Sequence, residues 1–106
     1  MKSYKLENFH KGWFLGNFQP TIFNSSDFEV AVKVFQIGDE EPSHKQLIST
    51  EITVVIEGNI RLGDFYFSAG DIIEIPPGEF ASFLSLTDSI LVCIKFPSIP
   101  DDKVTK

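Results

Sequence analysis

Apolar and polar residues alternate along most of this chain with the period of two that a half-buried strand shows, and no stretch repeats at the 3.6 residues of an amphipathic helix. Over residues 28–37, Phe28, Val30, Val32 and Val34 fall on one face and Glu29, Ala31, Lys33 and Phe35 on the other. Further strands are expected at 12–18, 51–57, 60–62, 65–67, 72–75, 80–86 and 89–96. Between them stand Gln19-Pro20, Gly38, Glu57-Gly58-Asn59, Gly63-Asp64, Ser68-Ala69-Gly70-Asp71 and Pro76-Pro77-Gly78. Glycine and asparagine tolerate the positive φ of tight turns, and proline cannot donate a ladder hydrogen bond. Eight to ten short strands in so short a chain predict an all-β fold, an antiparallel jelly-roll β-barrel in one domain covering 1–106. Its core is expected over about 12–97, with 98–106 as a polar surface arm.

Composition narrows the function classes. The net charge of −6 and the absence of a Lys/Arg cluster in the sequence argue against a nucleic-acid partner. Lys33, Arg61 and Lys95 read as scattered, and Asp39-Glu40-Glu41 reads as a solvated loop. No apolar run reaches the roughly 18 residues of a membrane span, and no apolar stretch follows Lys2 as in a secretory signal, so no membrane partner and a cytoplasmic location are expected. The one cysteine, Cys93, has no intramolecular disulfide partner and reads as a core residue. Eleven Phe are unusual, and are expected to supply core volume or an apolar cavity wall.

The polar residues with chemistry are few. His44 and Gln46 are two apart and share a face if they lie on a strand, and Glu51 follows from the start of the next strand. Imidazole and carboxylate suit late first-row ions, and an amide oxygen is a weak ligand for them. The same His44 and Glu51 also suit a hydrogen-bonded polar pair, or a metal-free acid–base pair in which the carboxylate orients the imidazole. His10 reads as a surface residue and Glu79 as a solvated turn residue.

The spacing Gly38, His44, Gln46, Glu51, Gly58, followed by Gly70, Pro76-Pro77-Gly78, resembles the two-part signature of the cupin superfamily. The family pattern has His, His and Glu in the first part and a further His in the second, where this chain has His44, Gln46, Glu51 and Ala81. Segments such as Gly12-Trp13-Phe14-Leu15-Gly16-Asn17-Phe18 and Lys95-Phe96-Pro97-Ser98 are similar to small single-domain bacterial or phage cupins. The resemblance implies a barrel that binds a small polar metabolite or sugar. It implies a divalent transition metal (zinc, iron, nickel or manganese) held by His44, Gln46 and Glu51, with His44 and Glu51 as catalytic groups. The alternatives it leaves open are a metal-free sugar isomerase or epimerase using His44, and a non-catalytic binding module. Finally, Ile52, Val54 and Ile56 lie opposite the Glu51 face, and an outward apolar stripe predicts a homodimer.

Overall fold

The computed structural model describes residues 1–106. Two single-turn 3₁₀ helices, Leu6–Asn8 and His10–Gly12, lead into ten strands. These are β1 (Trp13–Leu15), β2 (Glu29–Phe35), β3 (Glu40–Gln46), β4 (Thr50–Glu57), β5 (Asn59–Leu62), β6 (Phe65–Ser68), β7 (Ile72–Ile75), β8 (Ala81–Ser85), β9 (Ser89–Phe96) and β10 (Lys103–Thr105). They form two five-stranded antiparallel sheets, ordered β1-β2-β9-β4-β7 and β10-β3-β8-β5-β6. The expected turn glycines Gly38, Gly58, Gly70 and Gly78 all take φ between +88 and +96. At Gly58 a Cβ would collide with the Asp88 carbonyl oxygen, so the turn needs glycine for space as well as conformation.

Cross-strand registry sorts the inner face of the first sheet into rows. One row runs Trp13, Ala31, Cys93, Thr53, Ile73, and the next runs Glu29, Lys95, Glu51, Ile75. Ala31, Val55, Leu91 and Cys93 from this sheet meet Ile60 and Phe83 from the other to make the buried core. The Phe35 and Phe83 rings, one from each sheet, pack with centroids 4.4 Å apart.

Three expectations change. Phe83 is the one buried Phe, while Phe23, Phe65, Phe80 and Phe96 are exposed, because those four fall on outward faces, an edge strand or loops. The strand expected at 12–18 stops at Leu15, where Gly16 turns the chain and its N–H meets Thr21 Oγ1 at 3.2 Å. The 98–106 segment is no loose arm. Ser98 and Asp102 are buried, and β10 pairs with β3. The Asp102 carboxylate accepts the N–H groups of Ile48 at 3.0 Å and Ser49 at 2.9 Å, which fastens the segment to the β3–β4 connection.

Candidate functional site

The two sheets face each other across a cavity of about 230 Å³. His44, Gln46 and Glu51 all line it, but on opposite walls: the first two on β3, the third on β4. His44 lies opposite Ala81 of β8 and Thr105 of β10. Its Nδ1 is 3.0 Å from the Pro42 carbonyl oxygen, a contact that requires Nδ1–H to donate and leaves Nε2 as the lone-pair nitrogen. Gln46 is buried opposite Lys103.

Glu51 is already engaged at both oxygens. Lys95 Nζ stands 3.9 Å from Oε1, and Thr53 Oγ1 donates to Oε2 at 3.2 Å. Lys95 sits in register between Glu51 and Glu29, and its ammonium lies 4.8 Å from the centre of the Trp13 ring. Glu29 accepts from Ser98 Oγ at 3.1 Å; burial, joined by the Glu51 and Asp102 carboxylates, raises its pKa against the lowering by Lys95 and Ser98. Lys33 Nζ lies 5.5 Å from the centre of the same ring, in the same cavity, and pairs with Glu41 Oε2 at 3.4 Å. Burial pushes the Glu41 carboxyl up, but Lys33 and Lys103 outweigh it and hold the group below the usual carboxylate range.

Glu41 reaches this wall through a β-bulge. Across from Phe83 and Ala81, which are two apart on β8, stand Glu41 and His44, which are three apart on β3. The expected acidic loop 39–41 is thus only partly a loop, with Glu41 in the cavity wall. Lys33 and Lys95, read as scattered, line one cavity with Lys103, while Arg61 does not line it. His10 and Glu79 are exposed residues, as expected, but both edge the cavity. Cys93 is in the core, where desolvation pushes its thiol up to about 12, so it stays protonated and unreactive.

A metal does not fit these side chains. No three His, Cys, Asp or Glu side chains lie close enough together to share an ion. Of the two strong donors, Glu51 is ion-paired with Lys95 and hydrogen-bonded by Thr53, and the position beside His44 carries the methyl group of Ala81. A cation there would also meet the Lys95 ammonium at close range, which Coulomb repulsion opposes.

The sequence matches no protein-family profile, and no curated protein is significantly similar to it. Solved structures are similar. A double-stranded β-helix protein from Klebsiella pneumoniae superposes with a TM-score of 0.73 at 17% identity, covering 98% of this chain and 90% of its own. A sugar phosphate isomerase of the cupin superfamily from Silicibacter pomeroyi gives 0.61 at 22% identity, covering 67% of this chain and 51% of its own. The fold is that of the cupins. The pirin YhhW of Escherichia coli, solved with nickel(II), gives 0.70 at 16% identity over 85% of this chain and 40% of its own. One structural neighbour is thus a nickel-bound protein, whereas in the present chain no three His, Cys, Asp or Glu side chains are grouped to hold an ion. No helix of this cupin-fold chain is long and apolar enough to cross a membrane.

Proposed function

We propose that this cupin-fold chain binds a small polar metabolite between its sheets, which close into a jelly-roll barrel around it, and that it does so without a resident metal. The observation that carries this is the inward direction of charged and polar groups from both walls: Glu41, His44 and Gln46 from one sheet, Lys33, Glu51 and Lys95 from the other. Inward charge costs stability unless it is paired, and here it is held in two ion pairs rather than replaced by apolar residues. That is the pattern of a cavity kept for a ligand.

One observation favours a catalytic version. With Nδ1–H spent on Pro42, the neutral His44 ring keeps Nε2 as a base, which suits proton transfer on a sugar or sugar-like carbonyl compound, and a sugar phosphate isomerase is among the structural neighbours. Metabolite-induced thermal shift of the chelator-treated protein tests the binding reading. A stabilising metabolite is expected at millimolar concentration or below, and none across a broad panel of sugars, sugar acids and phosphorylated metabolites refutes it. Isomerisation of the hit, lost in His44→Ala while binding persists, separates enzyme from binding module.

The protein is further read as a homodimer with a second copy seated on the outer face of the first sheet. That face carries Val30, Ile94 and Ile52 in one row, which ends in Glu74 on β7, and Val32, Val92, Val54 and Ile72 in the next, which has no charge. Val34, Ile56 and Ile72 are more than half exposed. The centre of this face is apolar and its acid, Glu74, lies on the edge strand β7, so a second copy can cover the apolar centre while Glu74 stays at the polar rim.

A further inference from the structure

The chain has nine lysines and arginines against fifteen acidic residues, yet five of the nine line the one cavity: Lys11, Lys33, Lys45, Lys95 and Lys103. Of the fifteen acids, three do so, Glu41, Glu51 and Glu79. An acidic protein has therefore gathered most of its positive charge around one concavity, where low-dielectric walls focus the field. Two of the lysines are neutralised by Glu41 and Glu51. Lys103 has no ion-pair partner.

We propose that the ligand of this cavity is a small anion, carrying a carboxylate or phosphate group that the ammonium groups of Lys103, Lys33 and Lys95 bind beside Trp13. This assignment rests on the cavity being a metabolite site and adds the charge class of what enters it. Trp13 keeps two of the ammoniums in place through its ring face, at 5.5 Å for Lys33 and 4.8 Å for Lys95. Glu41 and Glu51 pair with the same two ammoniums, so their positions are set before any ligand arrives. The Lys103 residue as a whole is exposed, but its charged end is partly desolvated at the cavity. That desolvation, with repulsion from Lys33, Lys95 and Lys11, outweighs the attraction of Glu41 and lowers its pKa. An anion entering here relieves that repulsion.

The volume limits the size. At ~30 Å³ per water, 230 Å³ holds about eight waters, so the ligand has on the order of ten non-hydrogen atoms. A three- to four-carbon acid or phosphate ester fits within that volume.

Trp13 is the one tryptophan of the chain and reports from inside the cavity. Its fluorescence is titrated with malonate, inorganic phosphate, glycerol 3-phosphate and the neutral control glycerol, at matched ionic strength in sodium chloride. The expected result is saturable change with at least one anion and none with glycerol, and a tenfold or greater weakening in both Lys103→Met and Lys33→Met, each checked for native circular dichroism. The carboxylate and phosphate arms identify which group is preferred. Equal affinity of the wild type and Lys103→Met for the anion overturns the assignment, as does an unsaturable response. Binding of neutral sugars or polyols without binding of any anion overturns the charge class while leaving a metabolite site in place. No response to any anion, with none to any metabolite in the thermal-shift panel, removes both.

Discussion

Replacing Val92 by Asp should take the homodimer apart while leaving the subunit folded. Val92 lies at the centre of the outer face of the first sheet, between Val32 on one side and Val54 on the other. Four strands spaced about 4.8 Å and three rows spaced about 6.8 Å give a face of roughly 400 Å² per copy, apolar but for the edge position of Glu74. Two copies then remove about 800 Å² from water, a gross gain of about 20 kcal/mol at ~25 cal/mol per Å². Subtracting about 10–12 kcal/mol for lost freedom and side-chain ordering leaves about 8–10 kcal/mol, a dissociation constant near or below about 1 μM. The two-fold relation brings both introduced carboxylates into the contact, and an unpaired buried charge costs about 3–5 kcal/mol. The pair raises the dissociation constant by several orders of magnitude, so the variant is a monomer at any practical concentration. Sedimentation equilibrium of both proteins at tens of micromolar (about the range set by that constant), with circular dichroism to confirm the fold, reads this directly. A monomeric wild type, or a Val92→Asp protein that remains a dimer, refutes the reasoning.

Asp102→Ala should cost about 3 kcal/mol, since it removes charge-assisted hydrogen bonds to Ile48 and Ser49 that each contribute about 1.5–3 kcal/mol less the desolvation of the carboxylate, and chemical denaturation measures it. Burial raises the Asp102 pKa, but the N–H groups of Ser49, Ile48 and Leu47 overcome this and lower it. A depressed folded value gives stability that is present above the unfolded value of about 3.9 and lost as pH falls through the folded one, so the melting temperature should fall below about pH 4 more steeply in wild type than in Asp102→Asn. Cys93, with its thiol pushed up to about 12, should resist a thiol-specific reagent at pH 8 in the native protein and react at once in denaturant; rapid native labelling contradicts the buried placement. Calorimetric titration of zinc or nickel into the wild type should show no site, and the double variant Gln46→His, Ala81→His should gain one, because Ala81 is the cross-strand neighbour of His44 and imidazole far outranks an amide as a ligand. Stoichiometric, tight binding by the wild type counts against the metal-free reading.

Most of the strand plan is legible because a sheet with one buried face writes its register as alternation. The inward set Glu29, Ala31, Lys33, Phe35 is one of the two faces that alternation separates on β2. What alternation does not say is which face is inward when the outward one, Val30, Val32 and Val34, is the more apolar. The usual hydrophobic-in rule points the wrong way here, which is why Lys33 and Lys95 look scattered in sequence and lie together in the fold. The turn glycines are legible because a positive φ selects glycine. β3 does not stand out as a strand of its own because Glu-Glu-Pro-Ser-His-Lys-Gln has no apolar residue to alternate with, and its pairing with β8 and β10 is purely long-range. The placement of Lys103 depends on the buried Asp102 beside it, and a polar, proline-bearing segment gives no local sign of that.

The bulge at Pro42 and Ser43 has a consequence for changes in chain length. Where the inward strands pair without a register shift, deleting one residue turns the side chains beyond it to the opposite side of the sheet. Between Glu41 and His44 the chain already carries one residue more than β8 opposite it, so removal of Ser43 restores a plain two-residue step and keeps Glu41 and His44 facing the same way. This stretch of β3 can therefore shorten by one without exchanging inside for outside. Length variation among related chains would accumulate there next to the cavity, where an alignment made by spacing alone would pair His44 with the wrong neighbour.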